Sequence, residues 1–91
     1  YFTLAGRNSG HCLDVENGST APGANVRQWY CNAQPAQDWR LENAGRGYYR
    51  LVVKSGGHCL DVAQGSRSAG ANVQQWTCNG LQPQLWQLQR L

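Results

Sequence analysis

The sequence predicts an all-β chain built from two copies of one unit. Three observations lead there. The chain matches itself at a shift of 47 positions, its apolar runs are short and lack a 3.6-residue period, and its four cysteines fall at equivalent places in the two copies. Of the 44 residue pairs aligned without a gap, 21 are identical. His11-Cys12-Leu13-Asp14-Val15 returns as His58-Cys59-Leu60-Asp61-Val62, and Gly23-Ala24-Asn25-Val26 as Gly70-Ala71-Asn72-Val73. Gln28-Trp29, Cys31-Asn32, Gln37 and Trp39 return as Gln75-Trp76, Cys78-Asn79, Gln84 and Trp86.

Each copy reads as four short strands separated by turns. Copy one places them around residues 1–5, 12–16, 26–31 and 38–42, and copy two places them 47 positions later. Leu4, Leu13, Val15, Val26, Trp39 and Leu41 are the apolar anchors of copy one, and Leu51, Leu60, Val62, Val73, Trp86 and Leu88 are their partners. Glycines and small polar residues separate them, as in Asn17-Gly18-Ser19 and Ala44-Gly45-Arg46-Gly47. The whole chain is taken as one module, residues 1–91, with repeat one at 1–47 and repeat two at 48–91.

Size and composition narrow the function classes. A 91-residue domain buries a modest core and gains from covalent staples. An even cysteine count in so short a chain suits an oxidising, secreted setting, and four cysteines allow three pairings. The repeat favours pairing within each copy, because both copies then solve one problem in one way. The net charge of +3 comes from scattered residues with no basic run, which speaks against nucleic acid. Leu51–Val53, the longest aliphatic stretch, is far too short to span a bilayer. The chain has no Met, so it reads as a processed chain or a piece of a longer one.

The cysteines also suggest a site. Side chains alternate along a strand, so Cys12 shares a face with Asp14, and Trp29 shares one with Cys31. If Cys12 lies opposite Cys31, then Asp14 lies opposite Trp29, and Asp61 opposite Trp76 in copy two. A carboxylate beside an indole suits a sugar. The indole offers a flat apolar surface to the C–H face of a pyranose, and the carboxylate accepts hydrogen bonds from neighbouring hydroxyls. Asn32 and Gln37, with Asn79 and Gln84, add amide donors and acceptors. The same residues could equally be core tryptophans and turn-holding aspartates.

The ordered set Cys12-Leu13-Asp14-Val15, Gly23-Ala24-Asn25-Val26, Gln28-Trp29-Tyr30-Cys31-Asn32 and Gln37-x-Trp39, present twice over the whole chain, resembles the ricin-type lectins, also known as family 13 carbohydrate-binding modules. The resemblance implies a β-trefoil, in which three such repeats pack around a pseudo-threefold axis, with two of the three present here. It implies disulfides Cys12–Cys31 and Cys59–Cys78. It implies a shallow site in each repeat for galactose-type sugars, or for galactan, arabinan or xylan chains. Asp14 and Asp61 would bind hydroxyls, Trp29 and Trp76 would stack, Asn32 and Asn79 would contribute, and Gln37 and Gln84 would support. Trp39 and Trp86 would be core.

Two departures qualify the resemblance. Where the family often has a sugar-contacting Asn before the Gln-x-Trp glutamine, this chain has Ala36 and Pro83. The third repeat is not in the sequence. Two repeats leave apolar faces and strand edges open, so the chain is expected to form a homo-oligomer, three chains filling two trefoils, or to belong to a longer three-repeat chain.

Other functions fare worse. Asp14 and Asp61 are repeat equivalents, whereas a catalytic pair needs two different environments, so the chain is read as non-enzymatic. Neighbouring His11-Cys12 and His58-Cys59 point to opposite faces and chelate zinc poorly, so neither metal nor cofactor is expected. A β-trefoil that binds protein through degenerate sugar sites is the serious rival.

Overall fold

The computed structural model describes residues 1–89. Among the described residues, seven strands carry the fold: β1 (Cys12–Val15), β2 (Val26–Trp29), β3 (Trp39–Gly45), β4 (Tyr48–Val53), β5 (Cys59–Val62), β6 (Val73–Trp76) and β7 (Trp86–Gln87). All pairings between them are antiparallel. The helical content among the described residues is four three-residue 3₁₀ turns, at Glu16–Gly18, Pro35–Gln37, Ala63–Gly65 and Gln82–Gln84. Asn17 and Gln64 turn the chain in the left-handed region with φ of 58° and 59°, so the two copies bend their backbones alike.

β1 pairs with β2 in repeat one, as β5 pairs with β6 in repeat two. The copies are joined by the β3–β4 hairpin, whose register shifts between Asn43 and Gly45. The segment read above as a separator is thus the end of β3 and its turn, where Gly45, Arg46 and Gly47 all take positive φ. β4 is bordered by β3, β5 and β7. Its residues Leu51, Val52 and Val53 are all buried, which is why they form a continuous apolar run rather than an alternation.

The opening strand of copy one is reduced to isolated bridges, Phe2 with Trp39 and Ala5 with Cys12, while its equivalent in copy two is the full strand β4. The strand expected at 26–31 stops at Trp29, and Cys31 lies beyond it. Both disulfides are within a repeat, Cys12–Cys31 and Cys59–Cys78, each with Cα atoms 5.1 Å apart. The strand register differs from the expected one by two residues. Cys12 faces Trp29 and Asp14 faces Arg27; likewise Cys59 faces Trp76 and Asp61 faces Gln74. Each disulfide therefore runs from a strand to the loop past its partner strand and does not join cross-strand neighbours.

The core gathers Val15, Val26, Ala36, Trp39, Leu51, Val53 and Leu60, with Leu4, Leu13, Leu41, Val73 and Trp86 against it. Trp39 is fully buried and donates its indole N–H to the Leu13 carbonyl at 3.1 Å; Trp86 does the same to Leu60. A buried indole needs such a partner, and both copies supply it identically. The repeats are locked together at Gln75, which is fully buried. Its Nε2 donates to the carbonyls of Ser19 at 3.0 Å and Ala21 at 2.7 Å, both in repeat one.

Candidate functional site

The two repeats have an open pocket at the same place, between the paired strands and the loop that follows the second cysteine. In repeat one, β1 supplies Asp14, β2 supplies Arg27 and Trp29, and the loop and 3₁₀ turn after Cys31 supply Asn32, Gln34, Pro35 and Ala36. The facing turn adds Asn17 and Gly18, and Ser55 of repeat two closes one side. The pocket holds about 460 Å³. In repeat two, Asp61, Gln74, Trp76, Asn79, Leu81 and Pro83 stand with Gln64 and Gly65 around about 490 Å³.

Burial within these pockets is divided by role. Asp14 and Asp61 are buried, while Trp29 and Trp76 are 44% and 42% exposed. The carboxylates are therefore floor and the indoles wall. Gln37 and Gln84 are fully buried and have both ends of the amide occupied. Gln37 Nε2 donates to the Tyr30 carbonyl and its Oε1 accepts the Asn32 N–H, both at 2.9 Å; Gln84 repeats this with Thr77 and Asn79 at the same distances. These glutamines brace the backbone on either side of the second cysteine, which sets the positions of Trp29 and Asn32. Asn32 Oδ1 accepts the Gln34 N–H at 3.0 Å, and Asn79 Oδ1 accepts that of Leu81 at 2.9 Å, so each side chain is held by its own turn.

The corrected register puts a third side chain between the acid and the indole. Arg27 Nε donates to Asp14 Oδ2 at 3.1 Å, and the guanidinium carbon lies 4.0 Å from the centre of the Trp29 ring. Gln74 takes this place in repeat two, donating through Nε2 to Asp61 Oδ2 at 2.9 Å. Sequence reasoning passed over Arg27, Gln74 and Ser55. A signal for the first two was present: Arg27 and Gln74 break an otherwise identical stretch that runs from Gly23 to Trp29 and from Gly70 to Trp76. Ser55 carried none, because it reaches the pocket from the other repeat.

Ala36 and Pro83 both line their pockets, where they present no hydrogen-bonding side chain. All four cysteines are oxidised and cannot ligate a metal as thiolates. Among the described residues, no three His, Cys, Asp or Glu side chains gather closely enough to hold a metal ion.

An antiparallel, disulfide-stapled repeat with a shallow acid-and-indole pocket in each copy defines a β-trefoil module of the lectin class. The model of the ricin-type β-trefoil lectin-like domain family matches residues 1–76 and again 46–91, and the chain belongs to that family. The fold superposes on the designed threefold-symmetric protein ThreeFoil with a TM-score of 0.96 at 47% identity, covering 98% of this chain and 64% of that one. It is also similar to an exo-β-1,3-galactanase from Clostridium thermocellum, with a TM-score of 0.91, 30% identity, and coverage of 93% and 18%. The hemolytic lectin CEL-III gives 0.79 at 29% identity, with coverage of 94% and 20%. The chain thus spans just under two thirds of ThreeFoil and about a fifth of the other two. No curated protein matches the sequence.

Proposed function

We infer that the chain is a carbohydrate-binding module with one site per repeat, for galactose-type sugars or for galactan, arabinan or xylan chains. The observation that carries this reading is the pairing, twice, of a buried carboxylate with a half-exposed indole in an open pocket. The indole supplies a stacking surface for a sugar ring, and Asp14 or Asp61, with Asn32 or Asn79, takes its hydroxyls. Gln37 and Gln84 act by holding those groups in place. The likeness to a lectin and to a galactan-degrading enzyme supports the same reading. We read the chain itself as non-catalytic, because its two aspartates line separate pockets. We place it in a secreted, oxidising setting on the strength of its two disulfides.

The test is retention on galactose- or galactan-coupled resin. Binding with release by free sugar is expected; flow-through there and on xylan and arabinan would end the carbohydrate reading. One feature favours a protein-binding scaffold as the alternative: Ala36 and Pro83 leave each pocket without the amide common in the family.

We further infer that the edge of repeat one receives a third repeat of the same kind. Either other copies bring it, three chains filling two trefoils, or further residues of a longer polypeptide do.

A further inference from the structure

The two pockets differ in charge at one wall position. Both Arg27 and Gln74 donate to the buried aspartate opposite, but with different results. In repeat two the partner is a neutral amide, and among the described residues Asp61 is the one ionisable residue that lines that pocket. In repeat one the guanidinium balances Asp14, and these two are the ionisable residues of the lining.

Arg27 is fixed from two sides, by the bond from Nε to Asp14 and by the Trp29 ring beneath it. Its side chain keeps 25% exposure, against 5% for that of Asp14, so the cation is the more accessible member of the pair. Its terminal amino groups make no hydrogen bond with any described residue, and their donors are free for an incoming acceptor. A guanidinium edge presents two parallel N–H groups that match a carboxylate. The Ser55 hydroxyl lines the same pocket and has no hydrogen-bond partner among the described residues.

We propose that the two pockets divide sugars by charge: the repeat-one pocket takes a carboxylate-bearing sugar, a hexuronate residue, on Arg27, and the repeat-two pocket takes a neutral hexose. The proposal rests on the carbohydrate reading above. A uronate entering the second pocket meets the Asp61 carboxylate with no balancing cation in the described lining. In the first it meets a balanced pair with the cation the more exposed. The guanidinium also stands over the Trp29 ring, and no cation stands on Trp76 among the described residues.

The four tryptophans make the test site-specific. Indole N–H signals of Trp29 and Trp76 report the two pockets, while Trp39 and Trp86, hydrogen-bonded to Leu13 and Leu60, serve as internal controls. The protein is titrated with galacturonate and with galactose and followed by NMR. Galacturonate is expected to move Trp29 with a Kd about fivefold below that of galactose, the upper range for an accessible ion pair. Trp76 is expected to show the reverse order. Raising salt to about 0.5 M should narrow the preference at Trp29. The substitution Arg27→Gln installs the residue repeat two already uses, so the fold has a precedent for it, and it should erase the preference. Gln74→Arg should create one at Trp76. The same galacturonate-to-galactose ratio at both indoles, or a preference that survives Arg27→Gln, overturns the proposal; if galactose still moves an indole, the carbohydrate reading stands without it. If neither sugar moves Trp29 or Trp76, the proposal fails, and retention on xylan or arabinan decides whether the carbohydrate reading survives it.

Discussion

Trp29 and Trp39 are ten positions apart and perform opposite tasks. Trp39 is wholly buried with its N–H satisfied by Leu13, whereas Trp29 leaves nearly half its surface to solvent at the mouth of a pocket. The double substitution Trp29→Ala with Trp76→Ala is therefore expected to weaken sugar binding by about tenfold or more while the chain still melts cooperatively. Trp39→Ala should instead cost about 3–5 kcal/mol of stability, through the cavity it leaves and the orphaned Leu13 carbonyl. Calorimetric titration and thermal melting separate the two outcomes. At this scale the grouping of residues around the candidate pocket was legible. Asp14, Trp29 and Asn32 do line one pocket, and Gln37 does brace it, because each is tied to the cysteines by short spacings. Arg27 was not legible, because its place between Asp14 and Trp29 depends on a strand register that the spacing of the cysteines does not determine.

Among the elements, the strands followed from apolar residues between turn residues, but the pairing register did not. Cys12 and Cys31 were read as cross-strand neighbours, yet β2 ends at Trp29 and the chain carries Cys31 past it before the bridge closes. A Cα separation of 5.1 Å is compatible with either arrangement, and a shift of two residues keeps every side chain on its original face, so Asp14 and Trp29 still reach one pocket. The β3–β4 hairpin that joins the copies has its own electrostatic tie. Glu42 faces Arg50 across the strands and meets Arg40 two residues away on β3, at 3.3 Å and 2.6 Å. The Arg40 hydrogen bond, and then that of Arg50, holds the Glu42 carboxyl below the usual carboxylate range. A carboxyl with a depressed folded pKa stabilises the fold at pH above its unfolded pKa, and this contribution disappears as pH falls through the folded value. The difference in Tm between the parent chain and Glu42→Gln should accordingly be present near neutral pH and close in acid. The groups are solvent-accessible, so the difference should be small and shrink with added salt.

Across the whole molecule, the contrast between Gln28 and Gln75 matters most. They are equivalent in sequence and sit on equivalent strands, yet Gln75 is fully buried against the carbonyls of Ser19 and Ala21, while Gln28 is exposed and its side chain accepts a hydrogen bond from Ser9, at 2.8 Å. Gln75 also exchanges backbone hydrogen bonds with Gly23 and Ala24, and Gly23 lies against Trp76, where a Cβ would come within 3.5 Å of the ring. One repeat's loop therefore seats the next repeat's glutamine and borders its indole. Ser66 and Ser68 of repeat two are the equivalents of Ser19 and Ala21, and by that equivalence their carbonyls are expected to receive the glutamine of a further repeat. Gln75→Ala should strand two carbonyls and cost about 2 kcal/mol, roughly 10 °C in Tm for a chain of this size. Gln28→Ala should leave the melt of a single chain nearly unchanged, since it breaks only an exposed contact. Its effect should appear where a third repeat docks, as weaker self-association in sedimentation of the 91-residue chain at rising concentration. A chain that sediments at one chain mass throughout, with Gln28→Ala indistinguishable from the parent, would show that copies of this chain do not complete the trefoil for one another. If self-association weakens on Gln28→Ala while the single-chain melt holds, Gln28 would be doing between chains what Gln75 does between repeats.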